Sequence, residues 1–187
     1  MRLAALLGEA TKRLTASGVE SPRVDAELLL AHVLELDRSR LPIVDLVDVE
    51  HVHQLRALVA RRADREPLQY LTGVAPFRFV ELKVGPGVFI PRPETELLVD
   101  AVLPVLRTAD RPFAVDLCAG SGALAVAIAA EVAGSRVVAL ERSAEALVWL
   151  RENCRGTAVE VVEGDVTSSA ILDELDGQVA APGEVEG

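Results

Sequence analysis

The chain has 187 residues, half of them hydrophobic and only 3% aromatic, so it can bury a core, and that core is aliphatic. Its formal net charge is −10, unevenly placed: residues 1–75 carry 10 basic and 11 acidic side chains, residues 76–187 carry 9 and 18. This balance disfavours nonspecific binding to phosphate backbones, and two cysteines without a Cys-x-x-Cys spacing or a neighbouring histidine disfavour a zinc site. The opening residues are too soon interrupted by Gly8 and Glu9 to be a signal peptide, and no run of about 18 apolar residues exists, so the expected setting is a reducing cytosol away from membranes.

The first third reads as helices. Leu3, Leu6, Leu7, Ala10 and Leu14 share one helical face, and Gly18 fits a helix stop. Ser21 followed by Pro22 predicts a helix start running to about Leu36. Val52, Leu55, Leu58 and Val59 mark a third helix, whose end is rich in arginine, where cations suit the helix dipole. Residues 66–73 predict one short helical turn closed by Gly73. No catalytic constellation falls in this helical domain, residues 1–73. His32, His51 and His53 are expected to be surface or packing residues, because two histidines two apart on a helix point to different faces.

After Gly73 the pattern changes. Residues 77–84 alternate with period two and predict a strand or hairpin arm, broken at Gly85, Pro86 and Gly87. Residues 88–95 predict a stiff loop into a helix ending near Leu106. In it Pro91 and Pro93 bracket Arg92 and hold the backbone extended, and Glu94 or Thr95 could cap the helix that follows. Residues 74–112 thus form a hairpin and a linking helix.

From Phe113 strand and helix alternate. Strands are expected near 113–117, 136–140 and 159–163, helices near 122–132 and 144–154. This is an α/β pattern: the opening of a doubly wound, Rossmann-like parallel sheet. Three strands are the first half of such a sheet. One more amphipathic stretch, residues 171–175, and a breaker-rich tail from Ala180 follow, so the chain reads as C-terminally shortened relative to a full fold.

The chemistry concentrates at the strand ends. A buried strand, a small-residue turn (Asp116, Leu117, Cys118, Ala119, Gly120, Ser121, Gly122) and a helix point backbone N–H groups and the positive helix end at a ligand. The turn lacks the Gly-Lys-Ser/Thr of a Walker loop. About twenty residues on, Glu141 ends the next strand, where a carboxylate can accept from two ribose hydroxyls. Asp165 ends the third strand and could accept from an adenine amino group, or be an ordinary turn aspartate. Asp116, on an apolar strand, needs partners and could tie down the turn's own amides. Together these features predict a nucleoside-type cofactor.

Arg65–Val74, then Phe89–Glu96 with its Pro-Arg-Pro-Glu-Thr core, then residues 116–122, in that order and spacing, resemble the HemK/PrmC release-factor glutamine methyltransferases. The resemblance runs to about Asp176, and the Pro-Arg-Pro-Glu-Thr loop is its most specific part. It implies a helical, release-factor-docking domain at 1–73 and a partial class I S-adenosylmethionine-binding domain at 113–187. It also implies N5-methylation of the glutamine in the Gly-Gly-Gln tip of peptide chain release factors, with S-adenosylhomocysteine as product. By the same resemblance the cofactor loop is Cys118, Ala119, Gly120, Ser121 and Gly122, with Asp116 before it. The ribose acid is Glu141, Asp165 and Val166 flank the adenine, and Arg92, Pro93, Glu94 and Thr95 form the substrate-side loop.

Three departures stand out. Cys118 replaces a common glycine, which predicts a backbone there that avoids positive φ. Val166 stands where a larger aromatic sometimes packs on adenine. The family's Asn-Pro-Pro-Tyr motif, which grips the acceptor amide, has no counterpart: the one asparagine, Asn153, precedes a cysteine within a predicted helix. The expectation is that the 187 residues alone are inactive or nearly so. Two other readings stand beside this one: a noncatalytic module that binds cofactor or release factor, and a nucleic-acid amino-methyltransferase, against which the acidic balance argues.

Overall fold

The computed structural model describes residues 1–169, 171 and 173. The amphipathic stretch expected over 171–175 falls mostly outside those residues, and the tail from Ala180 wholly so. The chain divides into two compact units, Met1–Gly73 and Val74–Gly187. Among the described residues no helix is long and apolar enough to cross a membrane.

The first unit holds four helices: α1 (Leu3–Ala16), α2 (Pro22–Val33), α3 (Val49–Ala63) and the single turn α4 (Leu68–Thr72). The apolar face read from α1 is buried as expected, with Leu6 and Leu14 packed among Leu29 and Leu30 of α2 and Leu55 and Val59 of α3. The predicted stops hold: Gly18 and Gly73 take the left-handed conformation past α1 and α4. Helix α2 ends at Val33 rather than Leu36, because Glu35 adopts positive φ and its N–H turns back to the His32 carbonyl. Ser21 makes no side-chain cap. Asp48 caps α3, accepting from the His51 N–H at 3.0 Å, and its other oxygen lies 2.8 Å from the His51 ring. A 3-10 segment, Arg38–Ile43, lay outside the predicted elements. Pro42 lies inside it, as Pro104 lies inside a later α-helix, residues 96–108.

The second unit opens with a hairpin, β1 (Val74–Phe77) paired antiparallel with β2 (Val80–Lys83). The alternating run expected over 77–84 is therefore cut by a turn at Arg78 and Phe79. The side chain of Arg78 explains the turn. It is nearly buried and held by Glu131, by Asp100 at 2.8 Å and by the Glu96 carbonyl, while Glu96 accepts the Arg78 N–H at 3.0 Å. That network holds Arg78 at φ 52, a conformation no strand contains.

Helix α5 (Glu96–Thr108) follows a 3-10 turn at Pro93–Thr95. Then β3 (Phe113–Leu117), α6 (Ala123–Glu131), β4 (Arg136–Glu141), α7 (Ala144–Asn153) and β5 (Val159–Glu163) build a parallel sheet in the order β3-β4-β5. Val137 and Ala139 of β4 pack against α5, α6 and α7, while Val138 and Leu140 pack on the opposite face with Val162 and Val166. Burial on both faces is why β4 reads as an unbroken apolar run. In register Leu117 faces Leu140 and Glu141 faces Glu163, so all three strands end along one edge.

Candidate functional site

That edge gathers the turn after β3, Glu141 and the segment after β5. The turn is tight: Ala119 donates to the Leu140 carbonyl at 3.0 Å, and Gly122 to the Ala119 carbonyl at 2.8 Å. Gly120 and Gly122 sit at φ 58 and 82. Gly122 is also required by space, because a Cβ there would lie 2.7 Å from Cδ1 of the fully buried Leu150. A Cβ on Gly120 would meet nothing within 4 Å, so this is where the turn leaves its backbone open to approach.

Cys118 corrects the expectation that its backbone avoids positive φ. It sits at φ 62. The turn's geometry overrides the residue's preference: the left-handed backbone at Cys118 directly precedes Ala119, whose N–H reaches back to the Leu140 carbonyl of β4. The strain of a non-glycine residue there is on the order of 1 kcal/mol.

Glu141 is the hinge of the edge. One carboxylate oxygen accepts the Gly120 N–H at 2.9 Å; the other accepts the Arg142 and Ser143 N–H groups, each at 2.8 Å. Burial raises the pKa of its carboxyl, but the three N–H groups together with the Arg142 charge outweigh it and hold the value below the ordinary one. Asp116 is the opposite case. It is buried, and one oxygen accepts the Ala125 N–H of α6 at 3.2 Å. Thus it ties down the helix that follows rather than the turn's own amides. Burial pushes its carboxyl up to about 6, the Ala125 N–H opposes this, and the nearby Glu141 charge adds to the rise. The same burial, and then the Asp116 charge, push the Cys154 thiol up to about 11.

Asp165 follows Gly164 at the end of β5. One of its oxygens accepts from the N–H and hydroxyl of Thr167, at 2.9 and 2.7 Å; the other is 2.7 Å from Nη1 of Arg142. The Thr167 donors and then Arg142 pull its carboxyl down to about 2. Gly164 packs close beneath Ile171, whose Cδ1 would stand 2.9 Å from a Cβ placed there. Cys118, Leu140, Glu141, Arg142, Asp165 and Val166 line a cleft of about 190 Å³. That is less than the roughly 300–1,000 Å³ of a typical small-molecule site, so the cleft suits one end of a ligand.

The Arg92–Thr95 loop stands apart in its contacts. Arg92 lies over the Phe89 ring at 5.4 Å, and the Thr95 N–H donates to the Arg92 carbonyl at 3.0 Å. Neither interaction reaches the turn after β3. Thr95 precedes α5 without a side-chain cap. Among the described residues there is no group of three or more His, Cys, Asp or Glu that could hold a metal ion.

Two supporting residues escaped the sequence reading. Asn153 accepts the Lys83 N–H at 2.7 Å and donates to the Lys83 and Ser121 carbonyls, each at 2.9 Å, so its one side chain joins β2, α7 and the turn. An asparagine closing a helix carries no signal for such a role. Arg142 follows the predicted ribose acid directly, a position that gave a usable hint.

The family described as methyltransferase small domain matches residues 81–182, and the PrmC N-terminal domain matches residues 5–73. A release factor glutamine methyltransferase of Mycolicibacterium smegmatis is 50% identical over 95% of this chain and 63% of its own length. That of Streptomyces coelicolor is 48% identical over 95% of this chain and 62% of its own length. That of Deinococcus radiodurans is 41% identical over 89% and 61%. The chain spans a little over three fifths of the length of these relatives. Among solved structures, a SAM-dependent methyltransferase from Agrobacterium tumefaciens matches with a TM-score of 0.44 at 22% identity, covering 56% of this chain and 36% of that one. The chain belongs to the methyltransferase small domain family and carries a PrmC N-terminal domain ahead of that domain.

Proposed function

We propose that the edge formed by residues 116–122, 141 and 165–166 is the nucleoside end of a site for S-adenosylmethionine. On this reading the chain carries the helical domain and the cofactor-binding half of a release factor glutamine methyltransferase. The observation that carries the reading is the Glu141 carboxylate, poised between the Gly120 N–H and the head of α7 at the carboxyl ends of parallel strands. The names of the relatives, release factor glutamine methyltransferases, support the choice of reaction.

When bound, the cofactor supplies an activated methyl group on its sulfonium. The residues of this chain bind and orient it. Glu141, kept ionised by its N–H donors, accepts from the ribose hydroxyls. Cys118, Ala119, Gly120, Ser121 and Gly122 offer the open backbone beside it, Asp116 anchors the helix behind that turn, and Asp165 and Val166 flank the base. Arg92, Pro93, Glu94 and Thr95 form the loop on the acceptor side, and the helical unit docks the release factor. The Asn-Pro-Pro-Tyr expected to grip the acceptor amide is not among the 187 residues, so no residue here takes that task.

Titration with S-adenosylhomocysteine in a calorimeter tests the reading. The expected result is saturable one-to-one binding, weakened about tenfold or more in Glu141→Ala and less in Glu141→Gln, which keeps an acceptor for the Gly120 N–H. A folded chain that shows no saturable binding would overturn it, as would binding indifferent to both substitutions. A salt-dependent shift of RNA or DNA by the chain would redirect the reading to a nucleic-acid acceptor.

A further inference from the structure

We propose that Asn153 is a positioning residue for the cofactor: its amide holds the turn after β3 in register with the strap of residues 83–87, which runs into the acceptor-side loop. This rests on the nucleoside reading above and adds to it a residue that acts on the ligand only through the turn.

The strap lies along one stripe of α7. Glu145, Trp149 and Asn153 are spaced four residues apart and so share a helix face. Each meets the strap at a different point. A Cβ on Gly87 would lie 2.8 Å from the Cβ of Glu145, and one on Gly85 would run into the Trp149 ring. The Trp149 ring N–H donates to the Pro86 carbonyl at 3.2 Å. Asn153 takes both backbone groups of Lys83, the N–H at 2.7 Å and the carbonyl at 2.9 Å. The two glycines that break the alternating pattern therefore serve close packing on α7. The strap leaves the helix at Gly87, just before the segment that ends in Arg92–Thr95.

Of the three stripe residues, Asn153 is the one whose hydrogen bonds also reach the turn. The second proton of its Nδ2 goes to the carbonyl of the buried Ser121 at 2.9 Å. That carbonyl shares a rigid peptide plane with the Gly122 N–H, which donates to the Ala119 carbonyl at 2.8 Å. The Ala119 carbonyl in turn shares a plane with the Gly120 N–H, which donates to Glu141 at 2.9 Å. Two peptide planes thus link the Asn153 amide to the Glu141 carboxylate. Both donors of the amide are spent, so its tilt is fixed by the strap on one side and the turn on the other.

Three substitutions separate positioning from fold. Asn153→Asp keeps the size and the acceptor for the Lys83 N–H but loses both donors; Asn153→Ala loses all three bonds. Trp149→Phe cuts the strap's bond at Pro86 and leaves the Asn153 bonds intact. With S-adenosylhomocysteine as the probe, and circular dichroism confirming the fold, both Asn153 variants are expected to bind about tenfold more weakly than the parent, and Trp149→Phe like the parent. Parent-like affinity in either Asn153 variant would overturn the proposal, and so would an equal loss in Trp149→Phe, since the effect would then belong to the strap as a whole. Reciprocity adds a readout that needs no variant: a bond that strengthens the ligand is protected by the ligand to the same degree. Asn153 is the one asparagine of the chain, and its side-chain NH2 protons are expected to exchange with solvent about tenfold more slowly at saturating ligand. Unchanged exchange would overturn the proposal even if neither Asn153 variant folds. If Glu141→Ala loses binding while both Asn153 variants keep it, the nucleoside reading stands and this proposal falls. If the parent chain itself fails to bind, both fall.

Discussion

The two units place their backbone strain and buried charge differently. In Met1–Gly73 every residue at positive φ, namely Gly18, Glu35, Arg65 and Gly73, stands just past the end of a helix. There a left-handed residue satisfies orphan carbonyls and closes the last turn. In the second unit three of five consecutive residues, Cys118, Gly120 and Gly122, are left-handed within one turn at the sheet edge. The buried aspartates differ in the same way. Asp25 meets Arg62 at 2.7 Å, so the helical unit neutralises the charge it buries. Asp116 has the Ala125 N–H and, among the salt bridges of the described residues, no cation. The helical unit places its left-handed residues only past helix ends; the α/β unit scatters four, at Arg78, Gly87, Gly134 and Gly156, and gathers the other three in the one turn at the sheet edge.

The two aspartates offer the sharpest way to break this comparison. Asp25→Ala leaves the partly buried Arg62 without its carboxylate, with the Glu66 carbonyl still bonded to it, and is expected to lower stability by about 2 kcal/mol, read by chemical denaturation followed by circular dichroism. A change under about 0.5 kcal/mol would remove the contrast from the helical side.

Asp116→Asn should act in the other direction. The folded pKa of Asp116, about 6, lies above its ordinary 3.8, so its favourable contribution is complete below about pH 4 and is lost as pH rises through 6. At pH 7.5 the ionised, buried carboxylate therefore works against folding. Asparagine removes that charge and keeps an acceptor for Ala125. The expected gain is about 1–2 kcal/mol at pH 7.5, vanishing by pH 4. A loss at pH 7.5, or a gain independent of pH, would show that a charged Asp116 is compensated after all.

The smallest effect concerns the turn. Cys118→Gly relieves left-handed strain but gives the unfolded chain more freedom, so a net gain of about 0.5 kcal/mol is expected. Thermal unfolding at constant pH measures it, and a net loss would indicate that the thiol makes a contact worth more than the strain.

Most of the sheet was legible because its signals are local. The strands Phe113–Leu117 and Val159–Glu163 fall where the apolar runs placed them, and the helices between them end within two residues of expectation. Glu141 was legible as a position, one carboxylate at one strand end. The features that escaped depend on partners distant in sequence. Arg78 breaks an alternating pattern because Glu131, 53 residues away, holds its side chain. Asn153 supports the turn through Lys83, 70 residues away. Cys118 adopts a conformation its own chemistry opposes, directly before Ala119, which bonds to Leu140. A single-sequence reading sees the preference of each residue and not the contact that overrules it.

The central claim is that the strand-end edge of the second unit, and no other surface, receives the nucleoside. Amide proton–nitrogen correlation spectra of the 187-residue chain, recorded with and without S-adenosylhomocysteine, test it directly. The account predicts shifts confined to residues 118–122, 141–143 and 164–167, with the amides of Gly120 and Ser143 among the most affected. Shifts centred in Met1–Gly73, or spectra unchanged at saturating ligand, would contradict it.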